Sequence, residues 1–347
     1  MIRTQYHGPA GEVLTEISEE KLNELLQAGT GCLWIDIAYC DEQRGKIAEW
    51  LKQHFSFHPL AIDDALEESH VSRADDWQKY MYIVMHALAL EVNRTLETLE
   101  LDCFLGPNYL VTLHLQPIEA VEQFWVHCQR NGTTTHTAVP ARMFYALMDR
   151  VVADFLTVVD GLEEEIDELE HEIFSRPKKE TVNRIFRLRR TLLKLRRLLG
   201  TMRETMTRLA RDNFSMIKEA DRVYYRDVYD HLVRLYDIVD GMRDMMSGAL
   251  DSFVSVSSTK LNEVMRTLTI VTVLFMPLTF ITGFFGMNFF ADDFAVKNSI
   301  LPASALFWFC MGLMLFTPPM MLLWMRSRGW MQPTLHEEPE DEAPEEA

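Results

Sequence analysis

The chain has 347 residues, and its 52 aspartate and glutamate residues against 34 lysine and arginine residues give a formal net charge of −18. This charge argues against nucleic acid as the main partner, because binding to phosphate requires a basic surface. An acidic surface attracts cations, although solubility alone also explains such a charge. Five cysteines form no CxxC pair, and the first residues contain no apolar secretory signal, which predicts reduced thiols and a largely cytoplasmic chain.

The sequence pattern of residues 1–140 predicts a cytoplasmic domain of mixed α/β structure. Short apolar runs rich in β-branched and aromatic residues are typical of strands, and amphipathic stretches between them are typical of helices. The order of the strands does not follow from this pattern. The predicted strands cover residues 32–38, 80–90, 98–105 and 109–115, and the predicted helices lie near residues 18–28, 41–55 and 118–130.

The sequence pattern of residues 141–220 predicts a long cytoplasmic helical hairpin. Its first helix, from Met143 to Phe174, becomes strongly acidic in its later turns, whereas the second, at about residues 180–212, is strongly basic. Helices of opposite charge joined by a short turn are expected to lie antiparallel with their charges compensating. Two interpretations stay open: a salt-bridged, solvated hairpin, or an acidic tip that concentrates cations near a pore entrance.

The sequence pattern of residues 221–290 predicts one long helix that continues into a membrane span. No charged residue occurs between Arg266 and Asp292, and the first transmembrane span is expected at about residues 267–290. A helix of this size is roughly 100 Å long at 1.5 Å per residue. Because such a rod cannot bury its apolar stripe alone, it is expected to pack against copies of itself around a central axis.

A second uncharged run predicts a transmembrane helix at residues 299–325, after a short external loop of residues 291–298. Residues 326–347 then form an acidic cytoplasmic tail that is expected to be disordered. Basic residues flank the pair of spans at its two chain ends, which places both termini in the cytoplasm and the protein in the inner membrane as a multi-pass protein. These basic residues are Lys260, Arg266, Arg326 and Arg328.

One face of the first span has the composition of a pore lining. Its residues recur at alternating steps of three and four, and they alternate apolar side chains with hydroxyls and glycines. The face contains no acid, yet neutral oxygens are able to hold Mg²⁺ through its water shell. Asn288 at the outer end supplies such an oxygen, although helix packing and a helix cap explain the same residues without a pore. The residues of this face are Met265, Leu268, Thr272, Met276, Thr279, Gly283 and Gly286.

The string LTIVTVLFMPLTFITGFFGMNF at residues 268–289 resembles the signature of the CorA family of magnesium channels, which includes the zinc transporter ZntB. Four further segments resemble the same family: YYRDVYDH at 224–231, SSTKLNEVMRTLT at 257–269, HPLAIDDALEESHVSRADD at 58–76 and RPKKETVNRI at 176–185. The likeness runs over most of the chain, and GMN after MPLTF at the end of the first of two C-terminal spans is highly specific.

The resemblance implies an α+β cytoplasmic domain followed by long helices and two C-terminal transmembrane helices, assembled as a funnel-shaped homopentamer in the lipid bilayer. The first spans would line the pore, with Asn288 of the Gly286-Met287-Asn288 motif binding the hydrated ion at the outer mouth. Thr279 and Met276 would line the pore, and Leu268 and Met265 would form a hydrophobic gate. The implied function is uptake of Mg²⁺, with Co²⁺ and Ni²⁺ as further ions.

The resemblance also implies regulation by Mg²⁺ from inside the cell. The family's regulatory site lies between neighbouring subunits and uses two aspartates, which match Asp227 and either Asp64 or Asp63 here. Two carboxylates repel one another unless a divalent ion lies between them, so high internal Mg²⁺ would hold the ring closed. No organic cofactor is expected.

One departure from the family leaves the choice of ion open. The loop after GMN reads FFADDFAVKNS instead of an acidic MPEL-like motif, so that Asp292 and Asp293 are the candidates for a negative external ring. A ZntB-like Zn²⁺ transporter is one alternative, with His54, His58 or pore thioethers as softer ligands. A membrane scaffold without conduction is another; the sequence contains no catalytic motif, and we expect no enzyme.

Overall fold

The computed structural model describes residues 1–90, 96–131, 138–175, 178–286 and 303–330. The chain divides into two compact units, Met1–Val254 and Ser255–Ala347, which are described one at a time. Short 3₁₀ turns precede α2 and α7. The elements are β1 Ile2–His7, β2 Val13–Thr15, α1 Glu19–Ala28, β3 Cys32–Ala38, α2 Arg44–Phe55, α3 Pro59–Leu66, β4 Arg73–Asp76, β5 Met81–Leu90, β6 Leu96–Leu105, β7 Tyr109–His114, α4 Glu119–Asn131, α5 Pro140–Ser175, α6 Lys179–Arg211, α7 Arg222–Gly286 and α8 Ala303–Ser327.

The first unit is built on a sheet with the strand order β2-β1-β3-β7-β6-β5-β4. Strands β3 and β7 are parallel, and the other neighbours are antiparallel. Successive side chains of a strand point to opposite faces, so Leu33 and Ile35 pack with α1, α2 and α3, whereas Cys32 and Trp34 pack with the helices from α4 onwards. Both faces are buried, which explains why β3 is apolar at every position except Asp36.

The mixed α/β composition of this region is confirmed, and each of the four predicted strands is present. Strands β1, β2 and β4 and helix α3 were not predicted. β1 carries buried polar residues, Gln5 and His7, that hide the apolar alternation. α3 is short, but Pro59 in its first turn is a sequence signal for the start of a helix. In the structure, the side chain of His58 accepts a hydrogen bond from the Leu60 amide at 3.2 Å and caps this end.

The helices α5 and α6 form the predicted antiparallel pair with compensating charges. Arg184 contacts Glu172 at 2.8 Å, and Arg187, one turn later on α6, contacts Glu165, nearly two turns earlier on α5, at 3.0 Å. The opposite direction of these steps shows that the helices run antiparallel. The compensation is confirmed for these pairs.

The start of α7 is fixed to the start of α5. The Tyr225 hydroxyl donates to the Ala141 carbonyl at 2.6 Å, and the Tyr225 side chain is fully buried. Arg142 forms an ion pair with Asp221 at 2.7 Å. Since α5 packs on the sheet through a row of buried apolar residues, these contacts hold the first turns of α7 in a defined position.

The second unit, where it is described, consists of apolar helix with little burial. It contains the last part of α7 and helix α8, and each has a stretch long and apolar enough to cross a membrane, of which only 6% is buried. The Arg266 guanidinium donates to the carbonyl of Trp330, and Arg328 lies 5.9 Å from the ring of Trp324. Aromatic and basic side chains therefore gather at one end of this helix pair, as in membrane-interface belts.

A buried ionic network ties the centre of the sheet to its flanking elements. Asp36 on β3 is 1% exposed and contacts Arg3 of β1 at 2.8 Å and His114 of β7 at 3.4 Å, and it accepts a hydrogen bond from Thr112. Burial by itself raises the pKa of Asp36, but hydrogen bonding and attraction from His114, followed by attraction from Arg3, bring this pKa below its usual value. The carboxylate is thus charged in the folded state and well paired.

We predict that Asp36→Ala lowers the free energy of unfolding by about 3 kcal/mol, because it removes the buried anion that pairs with Arg3 and His114 and leaves Arg3 only its second partner, Glu122. The full-length protein in detergent would be unfolded by heat or denaturant and followed by circular dichroism. The stabilisation from Asp36 should be present near neutral pH and be lost as the pH falls below ~4 toward the lowered pKa of this carboxyl.

The matched control is Glu24→Ala, which removes an exposed ion pair with Lys21. Its unfolding midpoint is expected to equal that of the wild type. Equal midpoints for Asp36→Ala and the wild type would contradict a stabilising role for the network.

Candidate metal site and apolar helix face

Three side chains from α5 and α7 converge on one point with the ligand types that metal ions use. Asp149 lies on α5, and Asp227 and His231 lie one turn apart on α7. One ligand atom from each lies within 4.8 Å of the other two. Nδ1 of His231 is 3.7 Å from a carboxylate oxygen of Asp149. The cluster lies at the surface of the first unit, with Asp149 half-buried and the other two exposed, so an ion has access from solvent.

The electrostatics of this cluster favour a bound cation. Burial raises the pKa of Asp149, and the neighbouring charge of Asp227 raises it further, while His231 and Arg150 oppose the shift. The Tyr145 hydroxyl lies 3.4 Å from an Asp227 oxygen, and burial together with both carboxylates raises the pKa of Tyr145 to about 12. A divalent ion at this point would relieve the repulsion between the two carboxylates.

Of these three residues, the sequence analysis had selected only Asp227. The spacing of Asp227 and His231, four residues apart on a helix, was visible and puts both on one face. Asp149, which lies on a different helix 78 positions earlier by its number, is brought to them only by the packing of α5 on α7. The role of Asp227 as a metal ligand stays a prediction.

Asp63 and Asp64 lie on α3, and both are exposed. Asp64 forms an ion pair with Arg73 at 2.7 Å. In the described part of a single chain, Asp227 groups with Asp149 and His231 and not with either of these two aspartates. A site between subunits, as the sequence analysis expected, requires a second copy of the chain.

The predicted pore-lining residues lie on one exposed face of α7. At 100° per residue, the seven positions from Met265 to Gly286 fall within an arc of about 80°. All seven are exposed, and Met276 reaches 71%. Thr272 and Thr279 each donate their hydroxyl hydrogen to the carbonyl four residues earlier, at 2.9 Å. Their oxygens are therefore left as outward-facing acceptors.

Two further predicted residues, His54 and His58, stack on aromatic side chains, and four others fall outside the described part of the chain. Met287, Asn288, Asp292 and Asp293 lie outside the described residues. His54 stacks on Trp50, and His58, as the N-cap of α3, stacks on Trp77. Within the described ranges, neither histidine belongs to a group of three metal-ligand side chains.

Together these features define a class of protein: a chain with an α/β unit that carries a cluster of metal-ligand side chains, followed by two C-terminal helices long and apolar enough to cross a membrane. Comparison with known proteins identifies the family. The family described as "CorA-like Mg2+ transporter protein" matches residues 29–327. The chain belongs to the CorA family of divalent metal ion transporters, as the sequence analysis predicted.

Relatives agree with this assignment. The chain is 35% identical over 284 residues to YfjQ of Bacillus subtilis, named provisionally as a metal ion transporter, with 81% of this chain and 85% of that protein covered. It is 33% identical over 257 residues to the cobalt/magnesium transport protein CorA of Thermotoga maritima, covering 74% and 73% of the two chains. The zinc transport protein ZntB of Photorhabdus laumondii is 24% identical over 187 residues, 53% and 55% of the two chains.

A solved structure shows the same fold. The CorA magnesium transporter of Methanocaldococcus jannaschii matches with a TM-score of 0.77 at 23% identity, covering 95% of this chain and 99% of that one. The correspondence includes the soluble domain, the long helix and the two C-terminal apolar helices.

We predict that a divalent ion stabilises the soluble unit through the cluster of Asp149, Asp227 and His231. Mg²⁺ should raise the thermal unfolding midpoint of the wild type in a saturable manner, since an ion at 100 times its dissociation constant contributes about 2.7 kcal/mol. Asp149→Asn should reduce this rise, because it removes one of the two carboxylates. The measurement is thermal unfolding against Mg²⁺ concentration.

Asp154→Asn is the matched control for Asp149→Asn. Asp154 lies on the same helix, and burial likewise raises the pKa of its carboxyl, but it is not part of the cluster. Its Mg²⁺ response should equal that of the wild type. A full Mg²⁺ response in Asp149→Asn would exclude that residue from the site.

Proposed function

We propose that the chain is a subunit of a homopentameric channel of the inner membrane that takes up divalent cations, chiefly Mg²⁺ and also Co²⁺ and Ni²⁺. The observation that carries this proposal is the exposed face of α7 from Met265 to Gly286, which Met287 and Asn288 follow in the sequence. Met265 and Leu268 act as its hydrophobic gate, and Asn288 holds the hydrated ion at the outer mouth. Membership of a family of metal ion transporters supports it.

The chemistry of this face suits an ion that keeps its water shell. Mg²⁺ dehydrates reluctantly, so its bound water molecules are what a channel wall contacts. These waters are hydrogen-bond donors. Thr272 and Thr279 offer oxygens whose own hydrogens are already donated to the backbone, so these oxygens accept from such waters. Conduction also requires weak binding, which neutral oxygens provide better than carboxylates.

Assembly from several copies accounts for the exposure of α7. A Cβ atom added to Gly283 or Gly286 would meet no atom of the described chain within 4 Å, so nothing in the described part of the single chain requires glycine there. Small residues allow helices of a membrane bundle to approach closely. Neighbouring subunits around an axis supply both the close approach and the cover for the apolar girdles.

The cluster around Asp227 is the regulatory site of this proposal. Asp63 or Asp64 of a neighbouring subunit would approach Asp227, and an intracellular Mg²⁺ ion between them would hold the closed arrangement. α7 carries both Asp227 and the gate residues, so a shift of this helix on loss of the ion reaches Met265 and Leu268 along one continuous element. The ion is thus both the transported and the regulatory species.

The remaining parts of the proposal concern orientation and boundaries. Both termini lie in the cytoplasm, with residues 1–140 as the α/β domain, 141–220 as the helical hairpin and 326–347 as the acidic tail. The spans cover about 267–290 and 299–325. Asp292 and Asp293 in the external loop of 291–298 form a negative ring that concentrates cations at the outer mouth.

We predict that Asn288→Ala lowers Mg²⁺ uptake into liposomes by about tenfold or more. The amide accepts hydrogen bonds from the charged, hydrated ion, and such bonds contribute ~1.5–3 kcal/mol each. Uptake would be followed with an entrapped Mg²⁺-sensitive dye, with Mg²⁺-dependent growth of a transporter-deficient host as the cellular counterpart.

Asn298→Ala is the control, since it removes the same side chain at the other end of the external loop, away from the predicted ring. It should transport as the wild type does. Wild-type uptake by Asn288→Ala would remove the amide ring from the proposal, and electrical silence of the wild type with unaltered cellular metal content would support a non-conducting scaffold.

A second candidate function is transport of Zn²⁺. It is favoured by the unusual loop after Asn288 and by the thioethers of Met265 and Met276 on the proposed pore face, which are softer ligands than oxygen. The same liposomes, tested with Zn²⁺ and with and without a proton gradient, distinguish the two. Uptake of Zn²⁺ that depends on the gradient, without uptake of Mg²⁺, would replace the first proposal by the second.

We predict that Asp227→Ala weakens the inhibition of uptake by internal Mg²⁺, because the ion that holds the closed state loses a ligand. Initial uptake rates would be measured at a series of internal Mg²⁺ concentrations, and the half-inhibitory concentration should rise by about tenfold, as expected for ~1.4 kcal/mol of lost binding. Asp237→Ala, which removes an aspartate outside the cluster on the same helix, is the control. An unchanged inhibition curve for Asp227→Ala would eliminate this site.

A further inference from the structure

A small polar cavity lies beside the sheet of the first unit, apart from the cluster at Asp227. Its volume is about 40 Å³, and it lies between strands β5 and β6 and the loop of residues 67–72 that follows α3. His86 and Glu100 are directly opposite one another in the register of these two strands. They share its lining with Glu68, His70 and Asp102.

His86 is the unusual residue of this cavity. It is 2% exposed, and among the described residues its Nε2 atom has no hydrogen-bond partner, although 3.7 Å separates it from a carboxylate oxygen of Glu100. The other ring nitrogen, Nδ1, lies 3.0 Å from the hydroxyl oxygen of Ser72. A buried polar atom without a partner is costly, which indicates that something occupies the space in front of Nε2.

Two other groups around the cavity are acids held in fixed positions. Glu100 accepts hydrogen bonds from the backbone amides of Ser69 and His70, which fix its carboxylate in place. Asp102 accepts a hydrogen bond from the Tyr82 hydroxyl at 2.6 Å, and burial, followed by the charge of Glu100, raises the pKa of Asp102 well above its usual value. The site therefore combines a fixed carboxylate with a second acid that is held close to it.

We propose that this cavity binds a transition-metal dication of the Zn²⁺, Co²⁺ or Ni²⁺ class, with Nε2 of His86 and the carboxylate of Glu100 as its buried ligands. His70 and Glu68 also line the cavity on its exposed side, and either would have to turn toward this point to join water in completing the coordination. The proposal is independent of the Mg²⁺ site at Asp227, with which it shares no residue.

The geometry of the two buried ligands suits such an ion. Zinc binds nitrogen and oxygen at ~2.0–2.2 Å, which in a tetrahedral arrangement separates two ligand atoms by about 3.4 Å. The observed 3.7 Å needs only a small contraction. Metal-ligating histidines commonly donate their second N–H to an oxygen, and Ser72 provides this partner. Burial, with a smaller contribution from His70, lowers the pKa of His86 to about 4, so its ring is neutral at physiological pH, as a ligand must be.

The presence of imidazole decides the class of metal. Mg²⁺ selects oxygen ligands and octahedral hydration, whereas imidazole suits zinc, cobalt and nickel. A bound ion would tie the loop of residues 67–72 to strands β5 and β6. That loop continues directly from α3, which carries Asp63 and Asp64, so the ion would also restrict the helix that bears these predicted regulatory carboxylates.

The test measures Zn²⁺ binding to the purified full-length protein in detergent by calorimetry, with excess Mg²⁺ present to occupy carboxylate sites. We expect His86→Gln and Glu100→Gln each to weaken one zinc site per chain by at least about tenfold. Ser72→Ala, which keeps both ligands and loses only the orienting contact, should weaken it by about 10-fold to 100-fold. Thermal unfolding without metal checks that each variant is folded.

Two controls separate this cavity from other zinc ligands in the chain. His54→Gln removes a histidine of the same unit that lies outside the cavity, and His231→Gln removes the imidazole of the Asp227 cluster. Both should leave this zinc site unchanged. Loss of the site in either control, with retention in His86→Gln, would overturn the proposal.

A structural readout covers the case in which His86→Gln does not fold. Zinc should slow amide hydrogen exchange across residues 67–72 of the wild type, and anomalous diffraction from zinc-soaked crystals should show a peak between His86 and Glu100. A cavity that contains only water, with unchanged exchange in this loop, would refute the site.

Discussion

The structure depends on one continuous helix that has to satisfy two different environments. α7 begins with side chains that pack against α5, such as the fully buried Tyr225, and ends with side chains such as Met276 and Phe280, which are 71% and 73% exposed and apolar. Burial of apolar surface stabilises the first part within the chain itself. The second part has no such partner among the described residues, and in the proposed channel lipid and further copies of the chain provide it.

The distribution of charge along α7 reflects the same constraint. Acidic side chains such as Asp227 lie in the unit exposed to water, where ionised groups are well solvated. From Leu268 onward the helix uses hydroxyls, thioethers and glycine, because a carboxylate within the hydrocarbon region carries a large desolvation cost. The carboxylates of the first unit are therefore expected to bind a divalent ion more tightly than the neutral groups from Leu268 onward. Carboxylates with an imidazole can hold a divalent ion long enough to report its concentration, whereas neutral oxygens release it quickly enough for transport.

Regular patterns in the sequence predicted the large elements well. β3 and β7 are predominantly apolar runs, and α5, α6 and α7 are long amphipathic segments, so their existence followed from the sequence pattern. β1 and β4 were missed, because Gln5 and His7 in one and the RADD sequence of the other lack the apolar alternation. These strands are stabilised by pairing with β3 and β5, which is a tertiary effect that no local pattern contains.

Some residues of the candidate sites could likewise be predicted from the sequence, and others could not. Asp227 was found through a motif, but Asp149 and His86 were not, since each becomes part of a site only through neighbours that are distant in sequence. His86 lies in an apolar strand, where a single histidine resembles any core residue. Its distinguishing feature is the unpartnered Nε2 beside Glu100, which exists only after β5 and β6 pair in the observed register. A shift of that register by one residue would turn both side chains to the opposite face of the sheet. The proposed metal sites of the first unit therefore depend on strand pairing and helix packing, whereas the proposed pore face of α7 follows from the spacing of residues in its sequence.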